Sequence, residues 1–367
     1  MKDKKIILAG GSGFIGQFLA KYFGGDNEII VLTRQSGATH KNLYTEKLLT
    51  EKDGIQIRYV KWDGQRTEEN WQKEIDGADL MINLAGKSVN CRYHKKQRHE
   101  ILESRIGATR AIGEAIRSIN SPPKVWINVA SSTIYKDSHD RPNDEFTGII
   151  SDGRRDNMSY NLIDQLRYNK NKLLARLFHG KNSNEYKQLD LDFSVQVCKQ
   201  WEKTFFEQQT PLTRKIALRT AITLGAGGVI TPYFNLCKFG LGGKHGTGRQ
   251  MFSWVHIEDV ARMIDWLFNN EICDGIYNCV APDVVPNSSF MKTLRQVTGH
   301  RFGLNAPAFL LEAGAFIIGT ETELMLKSRW VVARKALKHG FEFKYKMLDD
   351  ALRNIVLALP RNQYHFF

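Results

Sequence analysis

Three glycines set three residues apart, Gly10-x-x-Gly13-x-x-Gly16, follow directly on the apolar run Lys5-Ile6-Ile7-Leu8-Ala9. This spacing lets a chain hold a pyrophosphate. Gly10 allows the tight turn, Gly13 lets backbone approach the phosphates, and Gly16 lets the next helix pack closely on the strand. The first helical turn, Phe14-Ile15-Gly16, offers unpaired N–H groups and a positive dipole end to the anion. About twenty residues further on, an acidic residue would bind the ribose hydroxyls of NAD. The sequence has Thr33-Arg34 there. A carboxylate repels a 2′-phosphate, whereas a guanidinium binds one bidentately, so NADP(H) is favoured over NAD.

Other positions extend the same chemistry. Asp63 closes the run from Ile55 to Trp62, where its carboxylate can accept from an adenine amino group. Leu84-Ala85-Gly86 end a further run from Leu80, and the last two are small enough for a cofactor to pass. On the substrate side, Arg249 follows the glycine-rich stretch Gly240–Gly248 and can fix an anionic or carbonyl group, or bridge to a carboxylate. Asn278 can reach a ligand through its amide. Trp254 can form a platform for a ligand, although tryptophan belongs more often to the core. His256 reads as a structural hydrogen-bonding residue, and Asp259 as a cap or pair within its own helix.

For these residues to meet, the carboxyl ends of several strands must share one edge. Short apolar runs at Lys5–Ala9, Glu28–Arg34, Ile55–Trp62, Leu80–Gly86 and Lys124–Ala130 read as buried strands. Helical spacing at Gln17–Phe23 and Tyr93–Ile119 separates them, and Pro122-Pro123 stop the second helix. A strand from Lys215 to Thr223, a helix from Ile257 to Phe268 and a strand from Gly275 to Val280 follow. From Asn287 onward, amphipathic helices alternate with one short strand around Phe341–Tyr345. The pattern is α/β: a Rossmann-type doubly wound parallel sheet with a smaller C-terminal substrate region. Residues 1–235 form the NADP(H)-binding domain, with an insertion at 146–191, and residues 236–367 form the substrate region and C-terminal helical domain.

The totals narrow the class. Hydrophobic content of 42% and charged content of 25% suit a globular chain. Five cysteines without a C-x-x-C pair favour a reducing compartment and no metal. Met1–Lys5 run straight into the first strand, leaving no room for a signal peptide, and Glu312 interrupts the apolar stretch Ala306–Ile318. The expectation is a cytoplasmic protein with no membrane partner. A net charge of +13 is spread over the whole chain with no basic–aromatic stripe, which favours anionic small molecules over nucleic acid.

Gly10-x-x-Gly13-x-x-Gly16, Asn83-Leu84-Ala85-Gly86 and Ser131-Ser132-Thr133-Ile134-Tyr135 together resemble an extended short-chain dehydrogenase/reductase of the NAD(P)-dependent epimerase/dehydratase kind. The stretches Ser104-Arg105, Leu218-Arg219-Thr220, Leu241–Gln250, Trp254–Asp259 and Asn278–Pro282 are similar to an atypical "epimerase family" subgroup. The tail from Gly299 to Leu352 resembles that subgroup's C-terminal domain of unknown function.

The resemblance implies a Tyr-x-x-x-Lys pair, with the phenolate as acid/base, the lysine lowering its pKa and a serine holding the substrate oxygen. Aligning Trp201-Glu202 with the subgroup places Ser194 and Cys198 where the tyrosine and lysine belong, and neither side chain does that chemistry. Tyr168 and Lys172 have the spacing but lie inside the insertion, where such a pair is usually a solvated face. The resemblance implies an oxidoreductase or epimerase exchanging hydride with a small carbonyl or hydroxyl compound. Ser131 then orients the substrate oxygen, and Tyr135 or Tyr168 donates the proton. The alternative is an NADPH-binding regulatory protein without turnover. The insertion reads as a lid or interaction surface, and the tail as a cleft cover or the face of a homo-oligomer.

Overall fold

The computed structural model describes residues 1–34, 57–154, 172–173, 176, 192–306 and 327–366. Its strands in chain order are β1 (Lys5–Ala9), β2 (Glu28–Thr33), β3 (Ile57–Lys61), β4 (Leu80–Asn83), β5 (Val125–Asn128) and β6 (Arg214–Thr220). After these come β7 (Ile222–Leu224), β8 (Met251–Phe252), β9 (Trp254–His256), β10 (Gly275–Cys279) and β11 (Val285–Pro286). The helices are α1 (Phe14–Gly24), α2 (Glu69–Ile75), α3 (Lys95–Ser118), α4 (Phe193–Glu207) and α5 (Ile230–Lys238). They continue with α6 (Ile257–Asn269), α7 (Asn287–Val297), α8 (Arg334–Lys338) and α9 (Leu348–Leu357).

Seven strands make one parallel sheet in the order β10-β6-β5-β4-β1-β2-β3. Strands buried on both faces must be apolar at successive positions, as Ile6–Ala9 and Ile29–Leu32 are. Alternate side chains feed two layers. Ile6, Leu8, Val31, Ile82 and Ile127 pack with Leu19 and Phe23 of α1 and Val260, Ile264 and Leu267 of α6. Ile7, Leu32, Met81 and Trp126 pack with Trp71 of α2, Ile112 and Ala115 of α3 and Phe205 of α4. From β1 the chain winds outward through β2 and β3, then crosses to β4 on the other side. The reversal point between β1 and β4 is where such sheets bind ligands, beyond the carboxyl ends of the strands.

Three features differ from the sequence reading. The run Lys215–Thr223 is two strands: β6 stays in the sheet, while β7 leaves it after Ala221 to pair with β9. Phe341–Tyr345 is not a strand, although Phe341, Phe343 and Tyr345 are all buried. The backbone N–H groups of Lys344 and Tyr345 instead donate to the two carboxylate oxygens of Asp259, at 2.8 and 2.9 Å. The sheet also takes its edge strand β10 from beyond residue 235. A third core gathers Tyr233, Phe252, Trp254, Phe290 and Leu352 from the later segments. Of the expected insertion, the start returns along the chain, with Ile150 bridged antiparallel to Tyr135. Among the described residues no helix is long and apolar enough to cross a membrane.

Candidate active site

The turn after β1 has the geometry its glycines demand. Gly10 sits at φ +74°, and a Cβ there would lie 2.8 Å from the Ala85 Cα. Gly16 is the close-packing position, since its Cβ would come within 2.4 Å of the Gly11 Cα. Gly13 is different: a Cβ would meet only the Gly10 carbonyl, at 3.6 Å, and the residue is exposed. It is also the N-cap of α1, with no side-chain cap and no acidic residue in the first turn. The helix therefore presents bare N–H groups at an accessible turn, which fits a pyrophosphate. The Phe14 ring turns away from this mouth and fills the space above Gly225 and Gly228, where a Cβ would lie 2.9 and 2.8 Å from it. Those loop glycines make room for the Phe14 ring.

On the β2–β3 side, Thr33 is buried with its hydroxyl 3.4 Å from Ser12 Oγ, and Arg34 projects exposed beyond the strand. Asp63 is exposed, and its Oδ1 accepts the N–H groups of Gln65 and Arg66 at 2.7 and 2.9 Å, which fixes the carboxylate. Arg34, Asp63 and the turn thus share the carboxyl edge of the sheet.

On the β4–β5 side, Asn83 organises the edge. Its amide donates to Asn128 Oδ1 (2.8 Å) and Thr109 Oγ1 (3.2 Å), and its carbonyl accepts from Ala85 N–H (3.0 Å). Thr109 also accepts from Trp201 Nε1 at 3.0 Å, so β4, α3 and α4 are tied together. The backbone of Leu84 and Ala85 lies against Gly10. Gly86 is small for another reason: the Arg105 guanidinium carbon would lie 2.9 Å from a Cβ on it. Ser131, just beyond the end of β5, is partly exposed; among the described residues its hydroxyl bonds only to Thr133 (3.0 Å to Oγ1), and it caps the short turn Ser132–Ile134. Its hydroxyl is available at this edge.

Cys198, on α4, is buried beside the same edge. Burial pushes its thiol up to about 12, while Arg105 and Arg329 pull the other way. It neither ionises nor supplies the cation a lysine would. Tyr168 lies outside the described residues, so its pairing with Lys172 has no described geometry.

Three expected site residues are instead core. Tyr135 is 1% exposed, its hydroxyl donates to Asn278 Oδ1 at 3.1 Å, and Arg219 lies 4.8 Å over its ring. Burial raises its pKa, with Arg219 and Asn278 offsetting part of the rise, so the phenol keeps a proton already committed to Asn278. Asn278 is saturated in turn: its amide donates to Val332 O (3.0 Å) and its N–H to Glu145 Oε1 (2.8 Å). Trp254 is fully buried, with Nε1 donating to Asp283 O at 2.6 Å. Burial won at each position because an aromatic or amide at a strand end can turn inward once a polar partner is within reach.

Arg249 is exposed on its loop. The loop is anchored by His245, whose N–H donates to Asn287 Oδ1 (2.8 Å) and whose carbonyl accepts from Gln250 (3.0 Å). The His245 ring is wholly buried, stacked 5.7 Å from Tyr233, and neither nitrogen has a hydrogen-bond partner among the described residues. Burial pushes its pKa down to about 4. His256 caps α6 by accepting from Glu258 N–H at 3.2 Å. Burial lowers it to about 4 against the pull of Asp259 and Glu258, so it is no base at neutral pH. Asp259 pairs with Arg262 within its helix at 2.9 Å and holds the tail as well.

Residues 6–161 match the model of the NAD dependent epimerase/dehydratase family, and residues 306–355 match a domain of unknown function, DUF1731. The chain is 29% identical over 356 residues to the epimerase family protein SSP1921 of Staphylococcus saprophyticus, covering 96% of this chain and 99% of that one. It is likewise 29% identical over 353 residues to the epimerase family protein YfhF of Bacillus subtilis, covering 96% and 97%. Among solved structures it is similar to the human epimerase family protein SDR39U1 with NADPH, at TM-score 0.72 and 22% identity, covering 96% and 99% of the two chains. A UDP-N-acetylglucosamine 4-epimerase from Methanobrevibacter ruminantium superposes with TM-score 0.66 at 16% identity, covering 97% and 98%. The glycine turn and the first five strands of the parallel sheet lie within the residues that match the NAD dependent epimerase/dehydratase model, and over nearly its whole length the chain is similar to proteins named epimerase family proteins.

Proposed function

We propose that this protein binds NADP(H) and exchanges a hydride with a small carbonyl or hydroxyl compound. The nicotinamide, when bound, supplies or accepts that hydride. One observation carries the reading: an uncapped, accessible phosphate turn at Gly13 stands on the same sheet edge as an exposed Arg34, with Thr33 where a carboxylate would select NAD. The NADPH in the human neighbour's structure supports the choice. Arg34 holds the 2′-phosphate, Asp63 accepts from the adenine, and Phe14, Ile15 and Gly16 present backbone to the pyrophosphate. Ser131 orients the substrate oxygen from the end of β5, and Arg249 reaches it from the glycine loop.

A specific observation favours a second reading. With Ser194 and Cys198 in the tyrosine and lysine places and Tyr135 sealed in the core, the chain binds the cofactor without turnover and acts as a regulatory protein.

Calorimetry with NADPH and NADH comes first, followed by NADPH oxidation over a carbonyl panel by the parent, Tyr135→Phe and Tyr168→Phe. Tight NADPH binding with turnover supports the enzyme, and loss of turnover in one variant names the proton donor. Binding without turnover supports the regulatory reading. Failure to bind either nucleotide removes both.

A further inference from the structure

We infer that Arg105 is the seat for an anionic group, a carboxylate or phosphate, on the substrate rather than on the cofactor. The inference rests on the cleft at the β1–β4 reversal being a ligand site, and it adds the charge of what enters the β4–β5 half.

Arg105 projects from α3 onto the carboxyl end of β4, where the missing side chain of Gly86 lets its guanidinium lie against the backbone. Nη1 donates to Lys87 O (3.1 Å) and Ile101 O (2.9 Å), and the cation stands 5.4 Å from the Trp201 ring. Those contacts fix the plane of the fork but are all neutral. Among the described residues no carboxylate pairs with Arg105, and no hydrogen bond is taken from its Nε or Nη2. Other buried cations of this molecule are treated differently: Arg219 is held bidentately by Glu202, and Lys327 is paired with Asp192.

Glu202 and Asp192 are also the carboxylates whose charge is felt at the Cys198 thiol, where the charges of Arg105 and Arg329 act in the opposite sense. Both carboxylates are therefore already engaged by other cations. The Arg105 guanidinium is thus partly buried, with Nε and Nη2 uncommitted and no carboxylate counterion among the described residues. A desolvated cation is unfavourable until an anion reaches it, and an arginine fork is shaped for carboxylate or phosphate oxygens.

Placement separates this anion from those of the coenzyme. The pyrophosphate has the α1 terminus, and Arg34 lies across β1, on the β2–β3 side. Arg105 lies on the β4 side, one strand from Ser131. A substrate whose oxygen meets Ser131 can extend an acidic group to Arg105.

The test follows thermal stability of the NADP⁺-saturated protein and of the free protein. Chloride is replaced by acetate, or by inorganic phosphate, at constant ionic strength, in the parent, Arg105→Met and Arg105→Lys. The parent should show a saturable Tm rise of about 2–6 °C in at least one anion, and the better anion identifies the carboxylate or phosphate class. Arg105→Met should lose that rise, and Arg105→Lys should recover part of it. NADP⁺ affinity should stay within about threefold of the parent in both variants, since no coenzyme phosphate is assigned to this side chain. Equal anion shifts in the parent and Arg105→Met, or no shift in the parent, overturn the inference and leave the coenzyme reading intact. A parent that binds no nucleotide overturns the coenzyme reading instead, and the anion arm on free protein still tests Arg105.

Discussion

Arg219 and Glu202 form a two-pronged ion pair, with both N–O distances at 2.7 Å and side chains only 6% and 8% exposed. The Arg219 cation lies 4.8 Å from the Tyr135 ring, and the pair joins β6 to α4. Removing one partner leaves the other charge buried alone, a change that costs about 3–5 kcal/mol. Urea unfolding of Arg219→Met and of Glu202→Gln should each show a loss of that size. The double variant Arg219→Met/Glu202→Met should lose less than either single change, because no lone charge remains. A double loss equal to the sum of the singles would mean the two groups do not act as a pair.

Gly13 and Gly16 should respond oppositely to alanine. At Gly13 the new methyl meets only one carbonyl at 3.6 Å, so Gly13→Ala should fold with parent-like stability. The methyl stands at the accessible N-cap, however, and NADPH affinity should fall at least tenfold by calorimetry. At Gly16 the methyl collides with Gly11 backbone at 2.4 Å, so Gly16→Ala should lose about 1–3 kcal/mol of stability as well as binding.

Arg34→Ala should weaken NADPH by about 10- to 100-fold, the worth of one charge-assisted contact, and leave NADH nearly unchanged. Calorimetry with both nucleotides reads the difference directly. Equal losses would place Arg34 outside the 2′-phosphate site.

Two buried imidazoles set a pH dependence. His245 and His256 each fall from 6.5 to about 4 in the fold, chiefly through burial. Between those values the unfolded chain binds the protons that the folded chain refuses. Stability is therefore complete above pH 6.5 and declines as pH drops toward 4, by about 3 kcal/mol per ring at 1.36 kcal/mol for each pKa unit. Urea midpoints at pH 7.5 and 5 should differ accordingly. His245→Phe should flatten part of the slope without other loss, because among the described residues its ring forms no hydrogen bond that phenylalanine would lose. His256→Asn should flatten another part while keeping the helix cap.

The sheet was legible in the sequence because strands buried on both faces leave unbroken apolar runs, as in Ile6–Ala9 and Ile29–Leu32. The phosphate turn was legible because only glycine meets its steric limits at Gly10 and Gly16. Phe341–Tyr345 misled because the alternation of buried aromatics is real, yet the Asp259 carboxylate takes the place of a neighbouring strand. Arg105 carries no local signal of its own in the sequence. Its contact with Gly86 joins residues nineteen positions apart, from helix to strand end, and no local spacing announces it. Tyr135 and Asn278 each read as reaching a ligand, but side chains from distant segments reach one another first.

The last strand of the sheet, β10, joins β6 only after the chain has left to build β7, α5, β9 and α6. During synthesis, a nascent chain emerging as far as residue 235 would carry the β6 backbone with one side unsatisfied. Such a naked rim invites pairing with neighbouring polypeptides. A truncated product ending there should precipitate, whereas one extended through Cys279 closes its own rim.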